Sequence, residues 1–332
     1  MRVLLTGATG FIGSKLAQRL VTEGHSVRAL VRKTSDVTHL PKELELHYGD
    51  VLDTASLESA VAGIDAVMHL AAYFDFYPSD VGLLYRVNVD GTRELMNACV
   101  GTNVERFIYC STTEVIGPVK DPPGNEDTEL NPQFHYSKSK AEAERVVREI
   151  SSDTGVNHII LRPTGVMGEG DLYTAYELLK ALNDGEVPVL PGKGDKHIMY
   201  THVDDVVEGF VKALSSRQAL NRTIILCPDY PMTYAELIDF VTAELGVSPP
   251  RLRIPTRLAM MGIGLLSPIK NRKKNTFLWH MKTVKSMDED RWYSNERAKT
   301  LLEWSPRVTM QEGIRREIEW CWANGLLERR RQ

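Results

Sequence analysis

The first thirteen residues, MRVLLTGATGFIG, constrain the fold of this chain more than any other stretch. The apolar run 3–5 leads into Gly7, Gly10 and Gly13, and residues 14–20 then read as a helix. A strand, a glycine turn and a helix form the pyrophosphate site of dinucleotide-binding folds, because glycine permits the tight turn and lets the backbone approach phosphate. The helix N-terminus adds free N–H groups and the positive end of its dipole. The pattern therefore predicts a dinucleotide site.

A second pattern, YSKSK at residues 136–140, places Tyr136 and Lys140 four residues apart on one face of a predicted helix. The pKa of a free tyrosine is about 10, too high for an acid or base that cycles at neutral pH. A neighbouring lysine cation favours the phenolate, so we expect Lys140 to lower the pKa of Tyr136. An isolated pair of this kind is more often a surface feature of a charged helix. The hydroxyl-rich segment 110–117, which follows a predicted buried strand, favours catalysis instead.

Strands and helices are predicted to alternate along the chain, which indicates an α/β fold of the Rossmann type with a doubly wound parallel sheet. The predicted strands are 2–6, 26–31, 44–48, 65–69, 104–110, 156–161 and 222–227, and the predicted helices are 11–23, 54–62, 81–101, 134–152 and 203–216. Residues 166–202 and 228–332 are richer in proline and tryptophan. We interpret them as a smaller, mostly C-terminal substrate-binding lobe, beside a dinucleotide-binding domain of residues 1–165 and 203–227.

Composition narrows the class of protein. The chain has 332 residues and a net charge of −4, without a basic stripe, which argues against nucleic-acid binding. Its four cysteines show neither close pairing nor a spacing typical of a metal site, which fits a reducing compartment, so we expect a cytoplasmic enzyme without a metal. The chain starts directly in a strand, so no signal peptide is expected.

One apolar run departs from this picture. Residues 258–269 are almost entirely apolar and basic residues follow them, but the run is too short to span a bilayer. We interpret it as a buried helix or a cover over the substrate pocket; an interfacial anchor for a lipid-like substrate is the alternative.

Matches to one family follow in order along the chain. They are TGATGFIG at 6–13, GDV at 49–51, HLAA at 69–72, VNVDGT at 87–92, CSTTEVIG at 110–117, YSKSK at 136–140, LRPTGVMGEGD at 161–171 and HVDDVVEG at 202–209. In these segments the chain resembles the extended short-chain dehydrogenase/reductase family of the NAD-dependent epimerase/dehydratase type. It is similar to the dihydroflavonol reductase and 3β-hydroxysteroid dehydrogenase-like branch. The resemblance covers the chain to about residue 230 and is loose beyond it.

The resemblance implies a role for particular residues. Tyr136 matches the family's proton donor, Lys140 its partner, and Thr112 the catalytic Ser/Thr, with Ser111 as the competing candidate for that position. Asn88 matches an asparagine that supports the active-site helix, although any buried asparagine could be hydrogen-bonded in this way. The residues expected to bind the cofactor are Gly7, Thr9, Gly10, Phe11, Ile12, Gly13, Arg32, Lys33, Asp50, Val51, Leu70, Ala71, Ala72, Asn88, Tyr136, Lys140, Pro163 and Val166.

The end of the second strand indicates which cofactor binds. NAD sites commonly place an acid there for the ribose hydroxyl, and an arginine suits the 2′-phosphate of NADP. Here Arg32 and Lys33 follow the strand and the first carboxylate is Asp36. The sequence therefore favours NADP(H), with NAD(H) possible, although a solvated basic turn has the same sequence. Asp50, at the same predicted sheet edge, is expected to accept from the adenine amino group, to cap the next helix, or to do both.

Three features bear on the reaction. Thr113 stands where family dehydratases carry an acid, so a dehydratase is not expected. Ile198 stands where sugar-nucleotide members usually carry an arginine for the diphosphate, although Lys193, Lys196 and His197 are near in sequence. The aromatic residues of segment 73–77 should border the nicotinamide pocket and suit a flat or apolar substrate.

We therefore predict an oxidoreductase that transfers a hydride between the nicotinamide cofactor and a ketone or secondary alcohol. One alternative is a nucleoside-diphosphate-sugar epimerase that uses the same residues. The other is a non-catalytic dinucleotide sensor, which would not need an intact set of Thr112, Tyr136 and Lys140. Family members commonly pair through the helices near 81–101 and 134–152, so we expect a homodimer.

Overall fold

The computed structural model describes residues 1–187, 189–250, 252–262 and 280–329. Seven strands of this part of the chain form one parallel sheet: β1 Arg2–Thr6, β2 Ser26–Val31, β3 Glu45–Tyr48, β4 Ala66–His69, β5 Arg106–Cys110, β6 His158–Pro163 and β11 Arg222–Leu226. Their spatial order is β3-β2-β1-β4-β5-β6-β11, so the order reverses at β1. In open parallel sheets a ligand crevice forms at such a reversal, outside the carboxyl ends of the strands. The predicted α/β Rossmann-type fold is confirmed.

Helices pack on both faces of this sheet and also form part of a second layer. They are α1 Phe11–Thr22, α2 Thr54–Val61, α3 Val81–Tyr85, α4 Gly91–Ala98, α5 His135–Thr154, α6 Ala175–Asn183, α7 Val203–Ser215, α8 Tyr234–Leu245, α9 Met281–Ser286, α10 Glu296–Leu302 and α11 Met310–Ala323. A π-type turn, Arg86–Asp90, joins α3 to α4, so the predicted helix 81–101 is interrupted rather than regular.

Neighbouring residues of the strands enter different hydrophobic clusters because side chains alternate across a strand. Leu5 and Ile108 lie in the cluster that contains Phe210 of α7, whereas Leu4 and Phe107 lie in the cluster beneath α2, α4 and α5. All six residues of β6 and all four of β4 are buried. Burial on both faces explains the apolar runs of these strands, residues 66–68 of β4 and 159–161 of β6.

A smaller group of elements lies at the carboxyl edge of the sheet. Its strands are β7 Gly165–Met167, β8 Val189–Pro191, β9 His197–Ile198, β10 Tyr200–His202, β12 Met232–Thr233 and β13 Leu252–Ile254, which pair as β7–β10, β8–β13 and β9–β12. With α6, α8 and α11 they enclose a separate hydrophobic cluster. Trp304, in contrast, packs in the cluster that contains Phe210. The division into two domains stays a prediction.

The apolar run 258–269 is described only at its beginning. Leu258 is 55% exposed and Met261 is 65% exposed, while Ala259 is buried, so this first part is not enclosed on all sides. Residues 263–269 lie outside the described residues. Among the described helices, none has the length and apolar character that crossing a membrane requires.

Candidate functional site

The turn between β1 and α1 forms a cradle of backbone N–H groups. Gly7 has φ +75°, and a Cβ at Gly13 would lie 2.0 Å from the carbonyl oxygen of Gly7, so this close approach requires glycine. The amide of Gly10 donates to that oxygen at 3.0 Å, and α1 begins at the next residue. No side chain caps α1 and its first turn carries no acid, among the residues that the structure describes. The first amides of α1 are therefore available to an anion such as a pyrophosphate.

A cavity of about 490 Å³ continues from this cradle along the carboxyl edge of the sheet. Eleven of the predicted cofactor residues line it together with Thr112: Gly7, Gly10, Phe11, Ile12, Gly13, Leu70, Ala72, Tyr136, Lys140, Pro163 and Val166. Its opposite wall comes from the smaller group of elements and includes Ile198, Met199 and Met287. The cavity has the size and the mixed lining of a small-molecule site.

Tyr136 and Lys140 project into this cavity from consecutive turns of α5, as their spacing predicts. Both are almost fully buried, at 8% and 2% exposed. Phe74 and Phe76 contact the Tyr136 ring edge-on, with centroids at 4.8 and 5.8 Å. The aromatic border predicted from segment 73–77 is therefore present at Phe74 and Phe76. Tyr77 instead bonds Thr283 through its hydroxyl group, at 3.0 Å.

Burial dominates the electrostatics of this pair. Burial raises the pKa of Tyr136 above its ordinary value, and the neighbouring Cys110 and Glu114 raise it further. Burial also lowers the pKa of Lys140 to about 8, although Cys110 and Glu144 oppose that shift. In the chain by itself, desolvation of the phenolate therefore dominates the pKa of Tyr136, and the lowering effect expected of Lys140 stays a prediction.

Two neighbouring hydroxyl groups follow β5, and their partners differ. The Ser111 hydroxyl donates to Glu144 Oε1 at 2.6 Å, and this carboxylate also receives two bonds from Arg162. The Thr112 oxygen accepts the backbone N–H of Glu114 at 3.2 Å, which leaves its hydroxyl proton available in the cavity wall. The geometry therefore favours Thr112 over Ser111 as the hydroxyl group that meets a ligand.

Several predicted cofactor residues do not line the cavity. Arg32 and Lys33 are exposed just beyond β2, and the first carboxylate after them, Asp36, accepts two bonds from Thr38 at 2.9 and 2.6 Å. The basic pair thus stands without an adjacent free acid. The remaining ones that do not line it are Thr9, Asp50, Val51, Ala71 and Asn88.

Asp50 does not cap α2. Its carboxylate accepts the N–H of Leu52 at 3.0 Å, and the residue that precedes the helix is Asp53. Of the two interpretations of Asp50, capping is therefore wrong, because its carboxylate bonds the amide of Leu52, two residues before the first helical residue, Thr54.

Asn88 is buried in the π-type turn and uses every polar atom of its side chain. Its oxygen accepts the N–H of Tyr73 at 2.7 Å, and its amide donates to the Tyr73 carbonyl at 3.1 Å and to Ser139 Oγ at 2.9 Å. It therefore joins the aromatic segment to α5, and direct contact with a cofactor would require one of these bonds to break.

The basic residues near Ile198 lie apart from the cavity. Lys196 and His197 both bond the carboxylate of Asp290 at 2.8 Å, whereas Ile198 itself is buried and lines the cavity. Arg291, the residue after Asp290, is 7% exposed and also lines the cavity, but the sequence analysis did not single it out. No sequence motif marks it, since its partner Glu114 is distant along the chain.

With this geometry in place, the sequence can be compared with known proteins. Residues 3–227 match the NAD dependent epimerase/dehydratase family, a span that contains the glycine cradle, Thr112, Tyr136 and Lys140. The chain belongs to this family. It is an NAD(P)-dependent enzyme of the extended short-chain dehydrogenase/reductase type, which confirms the predicted family.

Relatives of this enzyme differ in the reactions that their names state. It is 30% identical over 277 residues to a 3-beta-hydroxysteroid dehydrogenase of Mycolicibacterium neoaurum, a match that covers 79% of this chain and 75% of the relative. It is 32% identical over 277 residues to the N-acetyl-alpha-D-glucosaminyl-diphospho-ditrans,octacis-undecaprenol 4-epimerase of Escherichia coli O157:H7, covering 82% of this chain and 81% of the relative.

A solved structure, MoeE5 in complex with UDP-glucuronic acid and NAD, resembles the enzyme with a TM-score of 0.77 at 26% identity, over 98% of this chain and 100% of that one. The comparisons therefore place the enzyme in the family and leave its reaction to be argued from the cavity.

Proposed function

We propose that the enzyme transfers a hydride between NADP(H) and an uncharged ketone or secondary alcohol. The observation that carries this proposal is the meeting of Thr112, Tyr136 and Lys140 in a cavity whose surface around Tyr136 is aromatic and aliphatic. Phe74 and Phe76 lie against the Tyr136 ring, so the substrate group that reaches the phenol passes apolar surface. Such walls favour a flat apolar molecule, because they gain by excluding water.

The charges in the cavity support an uncharged substrate. The charged residues in its described lining are three carboxylates and two cations: Glu114, Asp171, Glu177, Lys140 and Arg291. Arg291 is already paired with Glu114, with Nε to Oε1 at 3.1 Å. Within the described lining, a diphosphate would therefore meet Arg291, which is already paired, and Lys140, which lies beside Tyr136, so its burial would be costly. The name of the steroid dehydrogenase relative agrees with an apolar substrate.

The glycine cradle fits a dinucleotide, since its amides converge where no Cβ could be accommodated. The amides of the first turn of α1 would hold the pyrophosphate, and Arg32 and Lys33 would hold the 2′-phosphate of NADP(H). The bound cofactor supplies the hydride for reduction or accepts it in oxidation.

The protein groups manage the proton. Tyr136 gives its phenolic proton to the carbonyl oxygen of the substrate during reduction and takes it back during oxidation. Thr112 donates a hydrogen bond to the same oxygen and holds it near the phenol. Lys140 stabilises the phenolate that Tyr136 becomes, because an opposite charge favours the ionised form.

A sugar-nucleotide epimerase is the second candidate, because one relative, 32% identical, is named as an epimerase of a diphosphate-linked sugar, although undecaprenol rather than a nucleoside carries that sugar. It would use the same three residues, with the cofactor oxidised and reduced again within one cycle.

The experiment that separates the two is a substrate panel of steroid and other cyclic ketones, together with UDP- and dTDP-sugars. We expect net NADPH oxidation with at least one ketone and no isomer formed from any sugar nucleotide. Isomer formation without net cofactor turnover would replace the proposal with the epimerase.

A further inference from the structure

Arg291 and Glu114 form a buried ion pair in the cavity wall. Only one hydrogen bond joins the guanidinium group to the carboxylate. Arg291 Nε bonds Glu114 Oε1 at 3.1 Å, and its Nη1 donates to the carbonyl of Ser286 at 2.9 Å. Arg291 Nη2 and Glu114 Oε2 are buried, and neither has a hydrogen-bond partner among the described residues. Both residues line the cavity. An unpartnered donor and an unpartnered acceptor therefore belong to two paired residues that line the cavity.

A second arginine–glutamate pair of the same chain shows the closed arrangement. Arg162 bonds Glu144 through Nε to Oε1 at 2.8 Å and through Nη2 to Oε2 at 2.6 Å. Arginine and carboxylate favour this double contact because their atoms match in spacing. In the Arg291–Glu114 pair, the contact equivalent to the second bond is missing. Leaving both atoms unpaired in a buried place is costly unless a ligand bonds them.

We infer that Arg291 and Glu114 together form a polar subsite that binds an uncharged hydroxyl group of the substrate, a second group besides the reacting carbonyl. A hydroxyl group can accept from Arg291 Nη2 while it donates to Glu114 Oε2, so one group satisfies both atoms. An anion could accept from the arginine but would face the carboxylate of Glu114, and Glu289 lies 3.8 Å from Arg291 Nη1 on another side. This inference rests on the proposed function and names the class of substrate: an apolar ketone that carries a hydroxyl group.

Binding to the Tyr136→Phe variant saturated with oxidised NADP tests this subsite, because the oxidised cofactor cannot reduce the ketone and this variant is expected to oxidise the hydroxyl group of the probe too slowly to interfere. The probes are dihydrotestosterone, androstanone, which lacks its hydroxyl group, and the steroid ketone with a carboxylate in the same place. Calorimetry should show dihydrotestosterone bound about tenfold more tightly than androstanone, the gain typical of a hydrogen bond to a charged group. The carboxylate should bind most weakly.

Three variants, each added to Tyr136→Phe, test which residues cause the preference for dihydrotestosterone over androstanone. Arg291→Met should abolish the difference between dihydrotestosterone and androstanone, and Glu114→Gln should strengthen binding of the carboxylate. The double variant Arg291→Met/Glu114→Gln leaves no charge unpaired, so it serves if a single variant does not fold. Lys196→Met is the matched control, since it removes a neighbouring cation that bonds Asp290 outside the cavity. It should keep the tenfold preference.

Equal binding of dihydrotestosterone and androstanone by the Tyr136→Phe variant alone, whether strong, weak or undetectable, would overturn the subsite. So would tightest binding of the carboxylate, or a preference that survives in the double variant. Hydride transfer is measured separately with NADPH. A preference for the hydroxyl group without turnover of any ketone would contradict the proposed reaction and support the subsite. Turnover of a ketone without this preference would support the reaction and contradict the subsite.

Discussion

Ser111 and Thr112 are adjacent in the chain, yet they perform different tasks in the structure. Ser111 completes the environment of Glu144, a fully buried carboxylate that also holds Arg162. Thr112 bonds a backbone amide and keeps its hydroxyl proton for the cavity. One residue therefore stabilises the wall behind the site, and the other is available to a substrate oxygen.

This difference predicts opposite effects of substitution. Thr112→Val should lower kcat by about 10- to 100-fold, the effect of one hydrogen bond worth about 1–3 kcal/mol, with little change in Tm. Ser111→Ala should lower the free energy of unfolding by about 1–3 kcal/mol, because Glu144 loses a buried donor. Steady-state kinetics and thermal unfolding of both variants check this. A destabilised Thr112→Val beside a stable, inactive Ser111→Ala would reverse the assignment.

Lys140 couples the site to stability through pH. Its pKa falls from 10.5 to about 8 on folding, since burial disfavours the charge. Between these values the unfolded chain holds a proton that the folded chain has released, so the contribution of Lys140 to stability rises with pH. Below about pH 8, Lys140 is charged in the folded chain too, and burial of this charge then lowers the free energy of unfolding by its full amount.

Lys140→Met should therefore raise the free energy of unfolding at neutral pH by about 2 kcal/mol while it abolishes activity. This gain should shrink as the pH rises from about 8 towards 10.5. Lys138→Met, on the exposed face of the same helix, is the control and should change little. Urea unfolding across this range measures the effect; a gain that grows with pH would show the sign to be wrong.

At the scale of elements, the sequence predicts the strands of the large sheet well and the smaller group of elements poorly. Strands such as β4 and β6 are buried along their whole length, so their apolar runs identify them without tertiary information. The π-type turn at Asn88 was not predicted, because its hydrogen bonds reach Tyr73 and Ser139 on other elements. Arg291 was not predicted for a similar reason, since Glu114, its partner in the cavity wall, becomes its neighbour only when the chain folds.

The end of β2 provides the prediction for cofactor choice. Arg32→Ala should weaken NADPH binding by about 1–3 kcal/mol, the cost of a lost charge-assisted hydrogen bond, and should leave NADH binding nearly unchanged. The side chain is exposed and Asp36 is occupied by Thr38, so no local bond is lost in the free enzyme. Fluorescence titration with both cofactors measures this. Equal losses would mean that Arg32 does not bind the 2′-phosphate.

At the scale of the molecule, the cavity lies between the carboxyl edge of the large sheet and the smaller group of elements, which includes β7 and β10. The sheet side supplies Thr112, Tyr136 and Lys140, and the other side supplies Ile198 and Arg291. Under the proposed function, the groups that manage the proton and the walls that select the substrate thus come from different parts of the chain.

Helices α4 and α5 lie side by side over one face of the sheet, and we predict that they pair with the same helices of a second copy. Two-fold pairing of one surface with itself is the most common oligomer symmetry. Light scattering at micromolar concentration should give twice the 37.4 kDa mass of the chain. A mass near 37.4 kDa would argue for a monomer.

The central claim is that Tyr136 transfers the proton that accompanies hydride transfer to a ketone. The most direct measurement compares NADPH oxidation by the unaltered enzyme and by Tyr136→Phe, with the ketone from the panel that reacts fastest. We expect turnover to fall by about 10²–10⁴-fold, the usual contribution of a positioned acid, while the dissociation constant for NADPH stays the same. An unchanged rate in Tyr136→Phe would contradict the account.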